Sequence, residues 1–134
     1  MRLIKPSVTI IFCWLLLQTH SFAEEKRVTI IEPENGAIVT SPVKVCMSVD
    51  NLIVEPAKRG VNEGKGHHHI LFTSLPKDLN MPLGKKEIIH MGHGKACQTI
   101  ELASGQHGLT ALFAYGNHIP YNPPVYDRIL IRVE

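Results

Sequence analysis

The sequence has few aromatic side chains, a single tryptophan, and no long hydrophobic run beyond its first 23 residues. Trp14 lies within those residues, so the Cys-Trp-Cys core of antibody domains cannot form in the rest of the chain. Removing Arg2 and Lys5 from the 14 basic residues leaves 12, which equals the 12 acidic ones. A balanced charge gives no basic surface of the kind that binds nucleic acid. We expect no nucleic-acid partner.

Catalytic signatures are also missing. The chain contains no Gly-x-Ser-x-Gly elbow, no His-Glu-x-x-His and no Cys-x-x-Cys. Carboxylates near the histidines are few: Glu63 and Glu87 are the candidates, and Asp127 is more distant. We therefore expect a protein that is not an enzyme. A metal-dependent hydrolase or redox enzyme is the alternative.

The first 23 residues have the pattern of a secretory signal peptide. Arg2 and Lys5 form a basic start, residues 8–17 an apolar run, and residues 21–23 a Ser-Phe-Ala cleavage site. The run is too short to cross a bilayer. The prediction is a cleaved signal peptide over residues 1–23 and one mature domain over residues 24–134. That domain would be periplasmic or secreted, with no membrane span after cleavage.

Two cysteines remain after the predicted cleavage, because Cys13 would be lost with the leader. In an exported protein, an even pair is first interpreted as a disulfide. Cys46 and Cys97 are therefore predicted to be bonded to each other. Two unpaired buried thiols are the alternative.

Hydrophobic periodicity favours strands almost throughout. Val43, Val45 and Met47 alternate with polar residues, and residues 125–133 show the same period of two. No amphipathic helix pattern exceeds two turns. Short strands separated by turn signals predict an all-β, immunoglobulin-like antiparallel β-sandwich of about seven strands. In this topology the second and fifth strands are neighbours, so Cys46 and Cys97 would meet across one sheet.

Histidine is the unusual feature, since seven of the eight remain after residue 23. Three in a row run directly into Ile70, Leu71 and Phe72. With a strand period of two, His67 and His69 share one face and His68 takes the other. Loop placement in a sandwich brings further side chains toward the same rim: His90, Met91, His93 and His118. His107 should lie at the opposite end, so it is assigned a structural role, as is His68.

Neutral imidazoles suit copper and zinc, and a thioether adds a preference for Cu(I). The predicted metal ligands are His67, His69 and His118, completed by His90, His93 or Met91. The alternative is that each ring donates to a backbone carbonyl and holds a loop in place. Two functions thus stay open: a copper- or zinc-binding module, and a non-enzymatic structural or interaction domain with an unknown envelope partner.

Several sequence blocks resemble a family of exported bacterial proteins, domain of unknown function family 4399. The blocks are Gly-His-His-His-Ile-Leu at residues 66–71, Gln-Thr-Ile-Glu-Leu at 98–102, Gly-Gln-His-Gly-Leu at 105–109, and His118-Ile-Pro with Pro-Pro-Val at 123–125. Tyr115 and Gly108 depart from the family pattern, which tends to have an acidic residue and a threonine there. The resemblance implies an exported sandwich and carries no established activity.

Overall fold

The structure is a computed structural model that describes residues 24–86 and 88–134. The predicted signal peptide, with Cys13, lies outside the described residues, and so does Glu87. The described part contains no helix that is long and apolar enough to cross a membrane.

The described residues form nine strands and one short 3-10 helix, Ala57–Arg59. The strands are β1 (Arg27–Glu32), β2 (Ile38–Val39), β3 (Val43–Asp50), β4 (Ile53–Val54), β5 (Lys65–Leu71), β6 (Ile88–His90), β7 (Cys97–Ile100), β8 (Gly105–Ala114) and β9 (Tyr126–Val133). Because β2 and β4 have only two residues each, seven longer strands remain, which matches the predicted number.

Two sheets pack face to face, which confirms the predicted all-β sandwich. One sheet has the order β1-β3-β7, and the other has the order β2-β9-β8-β5-β4, with β6 also paired to β5. The two short strands pair in parallel, β2 with β9 and β4 with β5, so the second sheet is mixed rather than purely antiparallel. The longer strands pair antiparallel, in the neighbour relations of an immunoglobulin-like domain.

Alternating apolar side chains from both sheets build the core between them. The principal contributors come from β3, β8 and β9: Val43, Val45, Met47, Leu109, Ala111, Phe113, Ile129, Ile131 and Val133. Each fully buried Val, Leu, Ile, Met or Phe contributes about 1.5–3 kcal/mol relative to its exposed state. The prediction that Met47 faces the core is confirmed, since it is 2% exposed.

β5 is buried on both of its faces, as is the end of the neighbouring strand β8. Its inward residue Ile70 belongs to the core, whereas Leu71 is equally buried on the opposite face. The chain between β5 and β6 covers that outer face, since Pro82 and Leu83 line a cavity together with His69. The outer face of β5 is therefore an interior environment, although it lies outside the sandwich core.

The predicted disulfide is present. Cys46 on β3 lies directly opposite Cys97 on β7, with their Cα atoms 4.0 Å apart. Both residues lie in the three-stranded sheet, so the bond joins neighbouring strands rather than the two sheets. Cys46 is buried, whereas Cys97 is exposed.

Gly66 allows β5 to approach β8 closely, which leads to the first prediction. A Cβ atom at Gly66 would overlap the carbonyl oxygen of Ala114, a backbone atom that cannot turn aside. We expect Gly66→Ala to lower the free energy of unfolding by about 1–3 kcal/mol in urea denaturation. Gly84→Ala is the matched control, because its Cβ atom would meet nothing within 4 Å. Equal stability of the two variants would contradict the prediction.

Candidate metal centre

Four histidines converge on the outer face of the six-stranded sheet. His67, His69, His90 and His118 each offer a ring nitrogen, and these nitrogens all lie within 4.8 Å of one another. The ring centroids of all six pairs are 4.5–5.7 Å apart. The structure thus brings together the three predicted principal ligands and one of the predicted completing residues.

Strand pairing explains the positions of three of these rings. His67 and His69 lie two residues apart on β5, so both rings point away from the core, while Ile70 points into it. His90 is directly opposite His69 in the antiparallel pair of β5 and β6. His90 therefore reaches the cluster on a strand paired with β5, whereas the sequence analysis relied on loop placement to bring it near His67 and His69. The rings also occupy a sheet face rather than the rim expected from loop placement.

A tight turn between β8 and β9 supplies the fourth ring. The His118 amide donates to the Tyr115 carbonyl over 2.8 Å, and His118 has a φ of 67°. This left-handed conformation is uncommon outside glycine and costs of order 1–3 kcal/mol where the surroundings impose it. The His118 carbonyl also accepts a hydrogen bond from the Leu83 amide at 2.9 Å. The turn and this bond hold the ring over β5.

The Nε2 atom of His90 lies within hydrogen-bonding distance of two other ring nitrogens, and it cannot bond well to both. The Nε2 atom of His90 is 3.0 Å from Nε2 of His67 and 2.9 Å from Nε2 of His118. A single imidazole nitrogen offers either one N–H or one lone pair, so it cannot make two good hydrogen bonds at once. Two nitrogens bound to one ion at 2.0–2.1 Å lie about 2.8–3.4 Å apart. Both observed separations fall in that range.

Burial favours the neutral form of the two clustered rings that lie on β5. The pKa of His69 falls to about 2, first because of burial and then through the nearby charges of His67, His90 and His118. The Leu112 backbone opposes this lowering of the pKa, but it does not reach hydrogen-bonding geometry with the ring. Both ring nitrogens of His69 therefore have no partner in the described part of the chain.

The pKa values of two further rings, His67 and His90, are also lowered. Burial lowers the pKa of His67 to about 4, helped by the charges of His90, His118 and His68. The pKa of His90 is also lowered, first by partial desolvation of this largely exposed ring, then by His118 and His93. Neutral imidazole is the form that binds metal ions, so the environment favours ligation.

Met91 and His93 are not part of this cluster. Met91 is 3% exposed and belongs to the sandwich core, so its thioether is used for packing. His93 is exposed, near enough to His90 to lower the pKa of that ring but outside the group of converging nitrogens. Neither of these two predicted completing residues is placed as a ligand.

The two histidines assigned structural roles lie apart from the cluster. The His68 ring packs edge-on against Phe113, with 5.3 Å between the ring centroids and 73° between the planes. Its carbonyl accepts a hydrogen bond from the Met91 amide. The His107 ring donates to the Ala103 carbonyl at 2.7 Å and so connects the two ends of the turn before β8.

Two carboxylates that the sequence offered as candidates near the histidines, Glu63 and Asp127, have other partners in the structure. Glu63 accepts hydrogen bonds from Lys26 at 2.6 Å and from the Tyr115 hydroxyl at 2.8 Å. These two bonds, in that order, lower the pKa of Glu63. Asp127 accepts from the Ile30 amide at 2.8 Å. The cluster found in the described residues consists of imidazoles alone.

Two features of the site were not predicted from the sequence. A Cβ atom on Gly92 would overlap the His90 ring, so this glycine leaves the space that the ring occupies. The glycine between His90 and His93 was the available signal. The second feature is a cavity of about 400 Å³ beside the cluster, lined by His69, His90, His118, Pro82, Leu83, Gly84, Lys85 and Ile88. No motif marks residues 82–85 as part of a site.

The buried rings make the metal-free protein sensitive to acid. Burial lowers the pKa of His68 to about 4, whereas an unfolded histidine titrates near 6.5. The unfolded chain therefore binds more protons below about pH 6.5, and stability falls as the pH decreases toward 4. From about pH 7 to about pH 5 we expect a loss of about 2 kcal/mol for each such imidazole, measured by urea denaturation with a chelator present.

His68→Leu isolates one contribution, because this ring packs against Phe113 and lies outside the cluster. The variant should retain its stability at neutral pH. Below about pH 6.5 its unfolding should take up roughly one proton fewer, so its free energy of unfolding should depend less steeply on pH. An unchanged pH dependence would show that His68 is not neutral in the fold.

The sequence was compared with known proteins, solved structures and protein families. No curated protein and no solved structure matches the chain significantly. A protein family does match, over residues 45–134, a span that includes all four clustered histidines and both bonded cysteines. The chain therefore belongs to the family described as Domain of unknown function (DUF4399).

Proposed function

We propose that this protein binds one transition metal ion, copper or zinc, through His67, His69, His90 and His118. The observation that carries the proposal is the convergence of four ring nitrogens within 4.8 Å. Buried polar atoms without partners are costly, and both nitrogens of His69 have none in the described residues. A metal ion would satisfy one of them and would replace the crowded contacts around His90.

The chemistry of the donors narrows the choice of metal. Imidazole suits zinc and Cu(II), whereas soft thioether donors favour Cu(I). Met91 packs in the core, so the reason for expecting Cu(I) from the sequence no longer applies. Hard cations such as calcium need several oxygen ligands, and the cluster offers only nitrogen. Cu(II) and zinc are therefore the preferred candidates.

The proposal is a binding function rather than a reaction. A metal-dependent hydrolase needs a base next to the metal-bound water. Glu63 was a candidate base from the sequence, but its two carboxylate oxygens accept hydrogen bonds from Lys26 and Tyr115. We further propose that the protein acts outside the cytoplasm, since residues 1–23 resemble a signal peptide and disulfides such as Cys46–Cys97 persist in oxidising compartments.

A second candidate function assigns the histidines to structure alone. The contacts of His90 with His67 and His118 favour it, because a metal-free ring network could hold β6 and the β8–β9 turn against β5. In this case the domain would serve as an interaction or scaffold module. The two candidates differ in whether loss of one ring lowers metal affinity or fold stability.

His118→Asn separates these candidates, because asparagine tolerates the left-handed conformation that His118 adopts. Titrating the untagged protein with Cu(II) and Zn(II) should give a dissociation constant below about 1 µM. We expect the metal affinity of the variant to fall by more than the roughly 10- to 100-fold caused by loss of an outer-shell partner. Unfolding stability in chelator should change little.

His93→Asn is the matched control, since this exposed ring is three residues from His90 but outside the cluster. Its metal affinity should equal that of the parent protein. Absence of metal binding, together with a stability loss in His118→Asn, would favour the structural candidate and contradict metal binding.

Gly92→Ala tests the cluster without removing any ligand. The new methyl group would meet the end of the His90 side chain, which can rotate away at little cost to the fold. We therefore expect nearly unchanged stability and metal affinity lowered by about 10- to 100-fold, measured by the same titrations. Gly84→Ala serves as the control. Unchanged affinity in Gly92→Ala would show that His90 is not a ligand.

A further inference from the structure

The cavity beside the cluster is large enough for a small molecule. Its volume is about 400 Å³, near the lower end of the roughly 300–1,000 Å³ typical of ligand pockets. Three of the four clustered imidazoles, those of His69, His90 and His118, form part of its wall. An ion held by all four rings would therefore border the cavity.

The remaining walls differ in character from the cluster. Pro82, Leu83 and Ile88 provide apolar surface, and Lys85 provides a positive charge. The described lining residues include no acidic side chain. Four neutral imidazoles leave the charge of a divalent ion uncompensated, so the ion and Lys85 together create a positive field in the cavity. His69, which is 1% exposed and has unpartnered nitrogens, adds a buried polar group in the cavity wall.

We propose that this cavity binds a small carboxylate with a short apolar tail, whose oxygen occupies a further coordination position on the metal ion. The inference rests on the proposed metal binding and names the co-ligand of the same site. Zinc expands from four to five ligands, and Cu(II) takes tetragonal geometry with nitrogen and oxygen donors. The carboxylate would face the ion and Lys85, and its tail would contact Leu83, Pro82 and Ile88.

The test uses the full mature protein loaded with Cu(II), whose visible and electron paramagnetic resonance spectra report its ligands. Acetate, propionate and butyrate are titrated in turn, with butyramide as the neutral counterpart of butyrate. We expect spectral changes with the carboxylates and none with the amide. Affinity should rise by up to about fourfold for each added methylene, because the tail is buried against apolar side chains.

A pair of adjacent lysines supplies the matched variants. Lys85 lines the cavity, whereas Lys86 does not. Lys85→Gln should weaken butyrate binding by up to about fivefold, the upper end of what is measured for exposed charge pairs. Lys86→Gln should leave it unchanged. Both side chains are exposed, so neither change should disturb folding, and Cu(II) affinity is measured for each variant in parallel.

The outcomes separate this inference from the metal-binding proposal. Copper bound tightly with spectra that no carboxylate alters would overturn the co-ligand and leave metal binding intact. A second outcome is that acetate and butyrate bind equally well and that the two lysine variants bind butyrate equally well. Carboxylates would then reach the ion from open solvent, which would overturn the cavity assignment. Failure to bind copper or zinc at all would overturn both proposals.

Discussion

Burial of β5 on both faces is the constraint on which the rest of this structure depends. One face of the strand completes the sandwich core through Ile70, and the other carries His67 and His69, which are no more than 1% exposed. Imidazoles in such a position must remain neutral and need partners for their ring nitrogens. β6 lies beside β5 in the same sheet, and β6 and the β8–β9 turn each bring one further histidine to the outer face of β5.

Much of the fold follows from local patterns in the sequence. Period-two alternation marked the core residues of β3 and β9, and the sandwich topology then placed Cys46 next to Cys97. The same alternation separated His68 from His67 and His69, as the packing of His68 on Phe113 shows. These features were predictable because each depends on one strand or on the neighbour relations of a common topology.

The parts that could not be predicted depend on pairings between distant segments. β6 is only three residues long, and nothing in Ile88–His90 indicates that it pairs with β5 rather than with the opposite sheet. That pairing puts His90 beside His69 and leaves Met91 in the core, which reverses the expectation for the thioether. The covering segment that includes Pro82 and Leu83 has no periodicity, so the cavity that it encloses is visible only in three dimensions.

The four clustered rings differ in depth, and this difference bears on the rate at which an ion could exchange. His67 and His69 are buried, His118 is half-buried, and His90 is exposed. An ion leaving the site would first lose its outermost ligand, and rotation of one exposed side chain is a nanosecond event, whereas opening a packed strand takes microseconds or longer. In the proposed metal-bound form, the exposed His90 would therefore dissociate first, while the buried His67 and His69 still hold the ion.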